Sequence, residues 1–193
     1  MKRNVKILYW AIFILFVQFC NGQNGDVPNS ADENNFTILT WGLYDSAINN
    51  AREVVAKKWK IEFKIVGACM VPKQIRDSAL INNKIAYSNI EKKYGKNWRD
   101  EFEKEVTIEL EKQQIVTGIV NRLGFIKKKE KIMRSEGNGL HYKMIPIDST
   151  DVYFVFVRGW AHVNGEAEWV TFYKMKVNYK TKKVKVISDQ IEN

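Results

Sequence analysis

The chain has 193 residues, of which 45% are hydrophobic and 27% charged, and its formal net charge is +9. Those proportions belong to an ordinary globular protein and exclude a disordered or collagen-like chain. Its two cysteines, Cys20 and Cys69, are too few for a disulfide-stapled secreted module, so stability must come from a hydrophobic core.

Residues 1–6 carry Lys2, Arg3 and Lys6 and no acid, and residues 7–19 are apolar except for Gln18. A basic stub followed by a short apolar run has the layout of a secretory signal. At about 1.5 Å per helical residue the run reaches roughly 20 Å, short of the roughly 30 Å hydrocarbon core of a bilayer. Cleavage after Gly22 is therefore expected, giving a signal peptide over 1–22, a flexible tether over 23–35 and a single domain over 36–193. Two alternatives keep a membrane link: an uncleaved anchor, or lipid attachment at Cys20, although Phe19 before that cysteine is a poor fit. The expected location is secreted or periplasmic. The leader holds three bases and no acid, so the remaining 171 residues carry +6. That balance suits an anionic partner such as a phospholipid head group or an acidic polysaccharide. Nucleic acid is disfavoured by the expected compartment. Asn35-Phe36-Thr37 is a glycosylation sequon, relevant only in a host that glycosylates.

Structure is expected from Phe36 onward. Asp45 or Ser46 can cap a first helix whose apolar residues Ala47, Ile48, Ala51, Val54 and Val55 share one face. Residues 60–71 begin as an alternation, with Ile61, Phe63 and Ile65 against Glu62 and Lys64, and read as a strand ended by Pro72. Cys69 falls in its apolar end and reads as a small buried hydrophobe. Residues 73–94 are helical in pattern, anchored by Ile75, Ala79, Ala86 and Ile90, with Asn82-Asn83 as a break or bend. Asn97 is placed to cap a longer helix over 98–123 that Gly124 stops. Its stripe is Trp98, Phe102 and Val106, then Ile115, Val116, Ile119, Val120 and Leu123, while Glu101, Glu105, Glu109 and Lys112 read as solvated charge. Residues 127–134 are strongly basic and 135–139 read as a loop.

The period then changes to two. Strands are expected over 141–147, 152–163, 166–177 and 183–187, and Asn164-Gly165 has the form of a two-residue hairpin turn. The order α-β-α-α-β-β-β-β predicts an α+β fold with helices packed on an antiparallel meander sheet. In element order it resembles the cystatin-like and NTF2-like folds, a likeness of outline that transfers no function.

The turn predicts a register in which Trp160 faces Trp169 and Arg158 faces Thr171. Strict alternation then puts Phe154, Phe156, Arg158, Trp160, His162, Trp169, Thr171, Tyr173 and Met175 on one face. Tyr153, Val155, Val157, Gly159, Ala161, Val170 and Phe172 fall on the other, which ends in Glu166, Glu168, Lys174 and Lys176. Both faces are apolar at their centre. An aromatic stripe is usually core, so the two tryptophans are expected under the long helix. The functional reading is a ligand-binding cleft lined by Arg158, Trp160, His162, Trp169 and Tyr173.

Catalytic and metal chemistry finds little support. His141 and His162 stand in different strands without ligand spacing, and no phosphate-cradling glycine loop or nucleophile-elbow motif occurs. Asp148 and Asp151 read as turn formers. No cofactor and no metal are expected. The leading expectation is a non-catalytic domain that binds a small ligand or a protein. A small envelope hydrolase or isomerase using His162 or an acidic residue in a sheet-lined cleft, and an inhibitor or immunity-type partner protein, are the alternatives.

Overall fold

The computed structural model describes residues 36–42, 46–147, 150–163 and 165–189. The expected signal, the tether, Cys20, Asp45, Asp148 and the hairpin residue Asn164 lie outside the described residues. The architecture is α+β, with helices packed on an antiparallel meander as the sequence pattern predicts. In chain order the elements are β1 (Phe36–Trp41), α1 (Ser46–Lys58), β2 (Ile61–Gly67), α2 (Lys73–Tyr94), α3 (Trp98–Val120), α4 (Gly124–Ser135), β3 (His141–Pro146), β4 (Val152–Val163), β5 (Glu166–Asn178) and β6 (Val184–Ser188). The last four form one open antiparallel sheet in the order β3-β4-β5-β6. β1 and β2 form a separate parallel pair, with Phe36 opposite Ile61 and Ile38 opposite Phe63. Among the described residues no helix is long and apolar enough to cross a membrane.

Two large buried clusters and a smaller third hold these layers together. One gathers β1, β2 and α1 around Ile38, Val55, Trp59 and Ile61, with Ile90 of α2 and Trp98, Phe102 and Val106 of α3. The other joins Val116 and Val120 of α3 and Ile126 of α4 to Met144, Tyr153, Val155, Val157, Met175 and Val177 of the sheet. Met133, Val170 and Phe172 form a third, smaller cluster toward the hairpin end. The face of the sheet that packs on helices is thus the valine face.

Several local expectations are corrected. Two elements are additional: β1, and α4 within the basic segment. Only Ile126 and Met133 of α4 are buried, so its apolar positions are too sparse to announce a helix amid the lysines. α2 runs unbroken through Asn82-Asn83, because Asn83 turns inward and is buried. It accepts a hydrogen bond from the Leu39 amide at 2.7 Å and donates one to the Leu39 carbonyl at 2.8 Å, taking the place of a neighbouring strand on β1. Asn97 makes no side-chain capping bond, α3 ends at Val120, and Gly124 begins α4 rather than only stopping a helix. Ile115 is exposed, one position away from the Val116 stripe. Cys69 is exposed, since the strand ends at Gly67 and leaves it in the connection to α2.

Glu109 was expected in solvent and is buried, at 4% exposure. Tyr153 donates its hydroxyl to both carboxylate oxygens at 3.0 and 3.1 Å, and Gln113 donates to one at 2.9 Å. A buried carboxylate is tolerable when hydrogen-bonded in this way. It sits on α3 between the two apolar clusters, where the helix passes from one to the other.

Candidate functional site

The hairpin register is the one that the turn predicts: Val163 opposite Glu166, Trp160 opposite Trp169, Arg158 opposite Thr171. Past that point the alternation fails. Val157 pairs with Tyr173, so one extra residue, Phe172, is accommodated in β5 as a bulge. A one-residue offset moves every later side chain to the opposite face. Met175 and Val177 therefore turn into the core, while Lys174 and Lys176 turn outward, reversing the strict-alternation assignment. Tyr173 is reversed with them. It packs on the helix side, its ring 5.0 Å from that of Phe125, and burial followed by the charge of Asp189 raises its hydroxyl pKa.

The aromatic stripe is not under the long helix. It forms the outer face of the sheet, where Trp160 is 48% exposed. Four of the five expected cleft residues, Arg158, Trp160, His162 and Trp169, share that face, and Tyr173 does not. Trp160 and Trp169 meet edge to face at 5.5 Å, and the Arg158 guanidinium lies 5.7 Å from the Trp169 ring. His162 is exposed two residues beyond Trp160, opposite Ala167.

His141 belongs with this group and was missed by sequence reasoning. It pairs with Arg158 across β3 and β4, and its ring lies 4.9 Å from that of Trp169. Nothing in the turn between those strands announces their register, whereas Asn-Gly announces that of the next pair. Arg158 is notable for its lack of partners. Its Nε is buried without a hydrogen-bond acceptor, and no carboxylate pairs with it among the described residues. An unmatched buried donor is uncommon in folded proteins.

Toward the other end of the face, cations roof aromatic rings. The ammonium of Lys176 lies 4.8 Å from the Phe154 ring and that of Lys174 lies 6.0 Å from Phe156. Lys143 stands opposite Phe156 and is held by Glu53 of α1 at 3.1 Å, and Lys185 stands opposite Lys176. No outward register position of β3–β6 carries an acid among the described residues. The surface is therefore aromatic and basic.

A concavity lies elsewhere. An open groove of about 620 Å³ runs between the end of β1 and α2, lined in part by Trp41, Leu80, Lys84, Glu91 and Arg99. Arg99 stacks on Tyr87, 4.1 Å from its ring centre. No group of three or more His, Cys, Asp or Glu side chains converges on a metal site among the described residues. No known protein family matches this chain, and comparison with curated proteins and with solved structures returns no match.

Proposed function

We propose that this chain is an exported, non-catalytic binding protein of the cell envelope or the extracellular space, and that the outer face of its sheet is the binding surface. Export rests on the basic, apolar and polar order of residues 1–35. The observation that carries the binding surface is the group of Trp160, Trp169, Arg158 and His141 on the face the helices leave open. Indole rings and arginine are among the groups that most often anchor recognition.

Cell fractionation and a binding assay test the two halves separately. With its own leader the protein is expected outside the cytoplasm, with a mature mass that begins at Gln23; retention in the cytoplasm with the leader intact sinks export. The mature protein is expected to co-sediment with purified envelope material. The double variant Arg158→Gln, Trp160→Ala, with an unchanged circular dichroism spectrum, is expected to remain in the supernatant. Equal sedimentation of both proteins would remove the outer face from consideration.

A further inference from the structure

The chemistry of the outer face also restricts what it can hold. Resting on the reading of that face as the binding surface, we infer that its ligand is an extended acidic polysaccharide lying along β4.

Charge complementarity is the first argument. Lys176, Lys185 and Arg158 face outward on three strands, and no outward position of the sheet is acidic among the described residues. The ligand is therefore an anion. Shape is the second. At about 3.3 Å per residue the outward side chains from Phe154 to His162 extend over roughly 26 Å. On an open sheet face of that length affinity accumulates from many weak contacts along a long ligand rather than from enclosure of a small one.

The state of the rings separates the classes of polyanion. Stacking of nucleobases needs free aromatic faces in succession. Here Phe154 and Phe156 lie under lysine ammonium groups, and Trp169 is flanked by Trp160, His141 and Arg158. A membrane surface asks for apolar side chains that project into the acyl boundary. On this face the phenylalanines are tucked beneath cations, and the large apolar groups that stand out are Trp160 and Ile145, with Val186 and Ile187 exposed on the edge strand β6 and too scattered to form one inserting patch. An acidic polysaccharide matches what is offered. Its carboxylates or sulfates meet Lys176, Lys185 and Arg158, and the apolar C–H side of a sugar ring lies on the exposed indole of Trp160.

Isothermal titration of the mature protein against polygalacturonate, neutral dextran, phosphatidylglycerol vesicles and a single-stranded oligonucleotide tests the assignment. Polygalacturonate is expected to bind, and to weaken by about tenfold or more between low and high salt as its charges are screened. The double variant Lys176→Gln, Lys185→Gln is expected to lose affinity and to show a shallower salt dependence. Trp160→Ala is expected to lose affinity with the salt dependence retained, a split that a general loss of structure does not produce. Equal, salt-insensitive binding of dextran overturns the acidic class but leaves the face as a binding surface. Tighter binding of vesicles or oligonucleotide overturns the polysaccharide in favour of that ligand. If polygalacturonate binds and every folded variant binds it like the parent, the outer face itself is the wrong surface. If none of the four probes binds, the polysaccharide assignment falls.

Discussion

Asn83 and Tyr153 show how single side chains close gaps between layers. The Asn83 amide both accepts from and donates to the Leu39 backbone, so no apolar residue can replace it without stranding two partly buried groups. Asn83→Ala is expected to cost about 1–3 kcal/mol in urea denaturation. Asn83→Asp is expected to cost more, because a carboxylate would face the Leu39 carbonyl. Tyr153 supplies Glu109 with its hydroxyl, and Tyr153→Phe leaves that buried carboxylate with Gln113 alone. A loss of about 1–3 kcal/mol is expected by the same measurement. Tyrosine ionisation gives a test by pH. Burial, and then the charge of Glu130, pushes Tyr142 up to about 12; burial, and then Glu109, raises Tyr153 further. Both folded values exceed the ordinary 10.0 of an unfolded tyrosine, so the folded state keeps protons that the unfolded state releases. The stability they contribute is complete below pH 10 and is lost as the pH climbs toward 12 and beyond. Tyrosinate absorbance is expected to rise for these two residues together with unfolding; ionisation in a chain that stays folded would refute the assignment.

At the scale of elements, legibility in the sequence follows locality. The β4–β5 pairing was readable because Asn164-Gly165 ties the two strands together directly. Its sidedness was readable only as far as Arg158, since nothing in β5 marks the bulge except the arrangement Phe172, Tyr173, Met175, Val177, whose apolar period skips a beat. That skip misplaced Tyr173 in the candidate cleft. β1 was missed for another reason: its partner β2 begins 25 residues after it, beyond a helix, and parallel pairing leaves no turn signature. Glu109 was misread because an acid four residues from others on a helix looks solvated until its tyrosine partner from β4 is known. The resulting division of labour among tryptophans can be measured. Trp59 is buried among Tyr94 and Phe102, and Trp59→Ala is expected to cost about 3–5 kcal/mol. Trp160→Ala gives up chiefly its edge contact with Trp169 and is expected to cost about 0.5–1.5 kcal/mol. A large loss at Trp160 would return it to a structural role.

For the molecule as a whole, α3 is the member both cores share, since Trp98, Phe102 and Val106 serve one and Val116 and Val120 the other. Neither core can open without releasing half of that helix. Phe102→Ala and Val116→Ala are therefore expected to lower one common thermal transition rather than to split it, as calorimetry can record. The asparagines have a consequence of their own beyond the single chain. Asn83 occupies the backbone of β1 at Leu39, and Asn50 of α1 donates to the Tyr142 carbonyl of β3 at 2.6 Å, so two outer strands each meet a side chain from a helix. Unpaired strand borders invite a second copy to add its own strand. These two amides occupy backbone groups on β1 and β3 that a strand from a second copy would otherwise need.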